Sequence, residues 1–64
     1  MYTEFRIQEM MLNDGIWYDD LDFPAYKTIE DAKLSLCEYY ERNPDHYEIY
    51  DHRIIERIER VVAE

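Results

Sequence analysis

Asp19, Asp20 and Asp22 fall within one four-residue stretch, and no basic side chain lies anywhere from Gly15 to Tyr26. Carboxylates this close together are ligand material for a hard cation such as calcium, which takes about six to eight oxygens. A calcium loop also requires a glycine and a glutamate at fixed offsets, and neither stands where Asp20-Leu21-Asp22 would need it. In an extended strand, moreover, Asp19 and Asp20 point to opposite sides. The expectation is a solvated acidic strand end and no metal site. His46 and His52 lie at no usual ligand spacing and read as turn residues. Cys37 is the only cysteine and is expected to point partly into the core. A Cys-His nucleophile needs an orienting group and a pocket, for which so small a chain has little room. No catalytic, cofactor-binding or metal-binding residue is therefore expected, and the chain does not read as an enzyme.

The remaining chemistry is that of charge. Sixteen acids against seven bases give a net charge of −9, which repels nucleic acid phosphates and anionic lipid. Neither direct nucleic acid binding nor membrane binding is expected. The imbalance is concentrated: Asp14, Asp19, Asp20, Asp22, Glu30 and Asp31 face only Lys27 over that part of the chain. The natural partner of such a field is the basic surface of a larger protein. Residues i and i+2 of a strand project on one face about 6.6 Å apart, so Asp20 and Asp22 could present paired charges as a nucleic acid backbone does. Crowded acids should also raise some of one another's pKa values.

The elements that must position these acids can be read from pattern and punctuation. Thr3 to Leu12 alternates loosely, as a strand does, and the expectation places Phe5, Ile7 and Met10 on one side and Glu4, Arg6 and Gln8 on the other. Asn13-Asp14-Gly15 is a hairpin signal, and Ile16 to Phe23 reads as the returning strand, ended by Pro24. Thr28 is a helix N-cap with Glu30 and Asp31 in the first turn. The helix should run to about Arg42, with Ile29, Ala32, Leu36 and Tyr40 on one face, and Asn43-Pro44-Asp45 stops it. Tyr47 to Tyr50 and the β-branched segment Ile54 to Val62 read as two more strands around an Asp51-His52-Arg53 turn. This predicts an α+β fold of order ββαββ, one antiparallel sheet with a helix across one face. The alternative is ββαβα, with Asp51 capping a terminal helix.

Sixty-four residues hold one domain. With 47% apolar residues and a single glycine, the chain should be globular. The lone cysteine excludes an internal disulfide, and Met1 is followed by no basic segment with an apolar run. A reducing cytoplasm is the expected location. On the helix, Glu30, Asp31, Glu38 and Glu41 fall opposite the apolar face, and Leu34 falls among them. An apolar centre ringed by charge is how interface anchors are built.

Taken together, GIWYDD, the TIEDAKLSLCEYY helix and the DHYEIYDHRIIERI ending resemble the small acidic proteins encoded by bacteriophages. Several of these inhibit host defence systems, CRISPR complexes among them, or host DNA-processing enzymes, some by mimicking DNA charge. The resemblance implies an inhibitor or adaptor in the host cytoplasm that occludes a nucleic-acid channel. The residues themselves nominate Trp17, Asp19, Asp20, Asp22, Glu30, Asp31, Leu34, Glu38 and Glu41 as the partner-binding set, with Trp17 and Leu34 as apolar anchors. The rival expectation is a structural module that self-associates, as a homodimer for example, through the aromatic strand or through Ile54 to Val62.

Overall fold

The computed structural model describes residues 2–46, 49–60, 62 and 63. Strand β1 (Tyr2–Met11) is followed by β2 (Trp17–Asp19), helix α1 (Ile29–Arg42) and β3 (Tyr50–Glu59). The strands form one antiparallel sheet of order β2-β1-β3. The fold is α+β, with the order ββαβ rather than ββαββ.

Two expected elements differ. The terminal pair of strands is a single strand: β3 pairs with β1 along its whole length, from Tyr2 opposite Glu59 to Met11 opposite Tyr50. Asp51, His52 and Arg53 lie inside it and make no turn, and the alternative terminal helix is absent from 51–59. These three residues contain no glycine, proline or asparagine to favour a turn, and β1 offers a partner of equal length for every one of them. The expected strand start at Tyr47 falls outside the described residues.

The returning strand is also much shorter than Ile16 to Phe23. Gly15, at φ 71°, and the Asp14 carboxylate, which accepts from the Ile16 amide at 2.9 Å, shape the connection as expected. The chain then leaves the ladder after Asp19, because the Asp20 carboxylate accepts the Asp22 amide at 3.0 Å and offers the backbone a turn instead. It returns to the same edge of β1 further along, where Phe5 and Tyr26 exchange backbone hydrogen bonds of 2.7 and 2.8 Å.

Helix α1 starts as the sequence predicts. Thr28 Oγ1 accepts from the Asp31 amide at 3.2 Å. At the other end Asn43 donates to the Tyr39 carbonyl through its backbone at 2.9 Å and through its side chain at 3.0 Å. Ala32, with no exposed surface, is the buried residue of the helix and joins the core. The core consists of Ile7, Phe23 and Ala32, with Phe5, Tyr26, Leu36, Tyr39 and Ile54 packed partly against it. Leu36 is only half-buried, Tyr39 packs against the core beside it, and Cys37 is exposed rather than turned inward.

Candidate functional site

The alternation of β1 sends successive side chains to opposite sides of the sheet, and this decides where each candidate residue lies. Phe5, Ile7 and Glu9 face the helix with Ile54 and His52 of β3, whereas Glu4, Arg6, Gln8 and Met10 face away with Arg53 and Arg57. On the far face, Gln8 donates to Asp19 at 2.9 Å and accepts from Arg53 at 2.8 Å. Arg57 holds both Asp19 oxygens, at 2.8 and 3.2 Å. The Arg53 guanidinium covers the Trp17 ring at 4.3 Å from its centroid. Glu4 and Gln8, each 8% exposed, are buried under this polar layer, which does the work of a second apolar layer by laying long side chains flat on the sheet.

Asp19 is therefore not a free charge. The hydrogen bonds from Arg57 and then Gln8 pull its carboxyl down to about 2, opposite to the rise expected from crowded acids. A carboxyl depressed on folding, from 3.8, stabilises the fold at pH above its unfolded value, and that contribution disappears as pH falls through about 2. Acid unfolding of the wild type should accordingly steepen between those two values, and Asp19→Asn should flatten that limb. Superimposable acid limbs would mean that the Arg57 pair is not formed in solution.

Asp20 turns the other way, under the helix. Its amide, just past the end of β2, donates to the Ile7 carbonyl at 2.9 Å, and its side chain is 6% exposed. There it meets His52 and Glu9, which stand directly opposite each other on β3 and β1. His52 Nε2 lies 3.8 Å from Glu9 Oε2 and 3.9 Å from Asp20 Oδ2. The imidazole side chain has no exposed surface. It is walled by the rings of Tyr39, Tyr40 and Tyr50, and its Nδ1 is 2.7 Å from the Tyr40 hydroxyl. Burial lowers the His52 pKa against the opposing pull of Asp20 and Asp51. Burial first, and then the Asp20 charge, raises that of Glu9. His46 is tied separately by a hydrogen bond between its Nδ1 and the Tyr39 hydroxyl. His46 lies in the turn after α1, as expected, with its amide donating to the Asn43 carbonyl at 3.0 Å, whereas His52 lies inside β3. Glu9 and His52 escaped the sequence reading because they lie far apart in the chain; only the β1–β3 register pairs them.

The remaining acids do form a surface. Glu30, Asp31, Glu38 and Glu41 are exposed along α1, and Leu34 among them is 60% exposed. Asp22, also exposed, joins them: it lines a cleft with Phe23, Ser35, Glu38 and Arg42. The extended Asp20–Asp22 pair does not exist, since a turn separates them. Trp17 and Asp19 lie on the sheet face opposite the helix, and Asp20 lies beneath the helix. The candidate set thus divides among three locations, and only Asp22 and the helix residues share one. Among the described residues no helix is long and apolar enough to cross a membrane. No protein-family model matches the chain, and neither a curated protein nor a solved structure shows significant similarity to it.

Proposed function

We propose that the chain is a non-enzymatic inhibitor or adaptor that binds the basic surface of a larger protein through the outer face of α1 and the adjoining Asp22 turn. The nucleic-acid channel of a host nuclease or defence complex is the kind of surface that fits. The observation that carries this reading is the convergence of Asp22 with Glu38 beside an exposed Leu34 on a chain of net charge −9. Its mechanism is occlusion. The carboxylates steer encounter and reject wrong partners more than they add affinity, and Leu34 supplies a contact that loses water on docking. Self-association gains less support: the long edge strand of the sheet is β3, and Asp51, Arg53, Glu56, Arg57 and Glu59 charge it along its length, while the other edge, β2, is only three residues long, both of which discourage edge pairing.

The test begins with affinity capture of a partner and continues with binding kinetics on the purified partner at two salt concentrations, with DNA as competitor. A variant carrying Asp22→Asn, Glu30→Gln, Asp31→Asn, Glu38→Gln and Glu41→Gln should associate about 10-fold more slowly or worse. Wild-type association should slow with salt, and DNA should compete. Leu34→Ala should act mainly on dissociation. Wild-type rates for both variants at both salts would overturn the proposal.

A further inference from the structure

We propose that Glu9, Asp20 and His52 form a binding site for a divalent first-row transition-metal ion of the zinc, manganese or iron(II) kind, on the inner side of the sheet and separate from the acidic outer face of α1. One oxygen from each carboxylate and one imidazole nitrogen lie within 4.8 Å of one another. At metal–ligand bonds of roughly 2.1 Å, neighbouring donors around an ion sit about 3.0 to 3.4 Å apart. The separations of 3.8 and 3.9 Å from Nε2 therefore need to contract by less than about 1 Å, within reach of carboxylate rotation.

The second observation is the state of His52 itself. Its side chain has no exposed surface, and among the described residues Nε2 has no hydrogen-bond partner although it is aimed between two carboxylates. An unpaired polar atom so buried is costly. At 3.8 and 3.9 Å, Nε2 lies beyond hydrogen-bond distance of both acids, so neither carboxylate satisfies it. A cation between the three groups satisfies all of them at once.

The surroundings are those of a ligand histidine. Nδ1 lies 2.7 Å from the Tyr40 oxygen; in the tautomer whose Nδ1–H donates to that oxygen, the Nε2 lone pair is directed at the carboxylates, the outer-shell arrangement that sets tautomer and ring orientation in metal sites. The backbone holds the donors in place: Glu9 and His52 are register partners, and Asp20 is fixed by its amide bond to Ile7 and its turn bond to Asp22. Glu9, whose side chain is 33% exposed, leaves the site open on one side for water ligands. A buried imidazole with only two carboxylates suits borderline transition metals; calcium and magnesium prefer all-oxygen or water-rich spheres.

The test uses the chelator-treated full chain titrated with Zn²⁺, Mn²⁺ or Co²⁺ alone, followed by calorimetry, thermal melting and cobalt absorption. One ion per chain should bind and raise the melting temperature, with millimolar Mg²⁺ or Ca²⁺ unable to displace it. Glu9→Gln, near-isosteric and partly exposed, should weaken binding by at least about 10-fold while the metal-free chain melts as a folded protein. Tyr40→Phe should weaken it by about 10-fold through loss of the Nδ1 partner. Cys37→Ser and His46→Gln should leave affinity unchanged, which excludes a thiol or a stray imidazole as the donor. Absence of stoichiometric binding, or binding indifferent to Glu9→Gln, would overturn the proposal.

Discussion

Ile7→Ala is expected to bring the protein to the edge of unfolding. Among the described residues Ile7 is the largest fully buried side chain, 1% exposed, and packs between its cross-strand partner Ile54 and the helix face around Ala32. Truncating a buried isoleucine costs about 2 to 5 kcal/mol, more where the neighbours cannot close the gap. Collapse is difficult here because a ten-residue ladder on one side and Ala32 on the other set the spacing. A 64-residue chain carries a total stability of roughly 3 to 10 kcal/mol, so the loss is a large share of it. Urea unfolding should show the midpoint falling toward zero denaturant, while Ile7→Val should cost only about 0.5 to 1.5 kcal/mol. A cost below about 1 kcal/mol for Ile7→Ala would mean that the helix does not sit over β1 as described. The consequence reaches function, because the Ile7 carbonyl also anchors the Asp20 amide.

Phe23→Ala should cost about 3 to 5 kcal/mol, and it should do so while disturbing the acidic surface. Phe23 is 8% exposed and meets Tyr39 edge to face, with ring centroids 5.4 Å apart. It is the buried anchor of the irregular segment between β2 and α1, and its neighbour Asp22 is brought to Glu38 by that anchor. Removing the ring should therefore raise amide hydrogen exchange across 21–27 beyond any global loss of stability, and should slow partner association as the Asp22–Glu38 pair disperses. Phe23→Leu, which keeps most of the apolar volume, should cost less and preserve association. Equal exchange across the segment in the two variants would show that the loop is held by its backbone bonds to Phe5 instead.

The sequence by itself determined what rests on local chemistry. Thr28 caps a helix because its hydroxyl meets an amide three residues on; Asn43-Pro44 ends it; Asp14-Gly15 turns the chain; and β1 alternates. The acidic outer face of α1 with Leu34 in it was legible for the same reason, since a helix's own period decides which of its side chains share a face. Long-range pairing decided the rest. Asp51-His52-Arg53 becomes strand because β1 supplies ten residues of ladder, a gain that no local window displays. Asp19, Asp20 and Asp22 look alike in the sequence, yet Arg57 claims the first, His52 and Glu9 surround the second, and the third alone stays free on the surface. A carboxylate's role depends on which opposite charge or buried donor comes within a few ångströms. For Asp19 that partner lies thirty-eight residues away, and for Glu9 and His52 only strand register brings the two together.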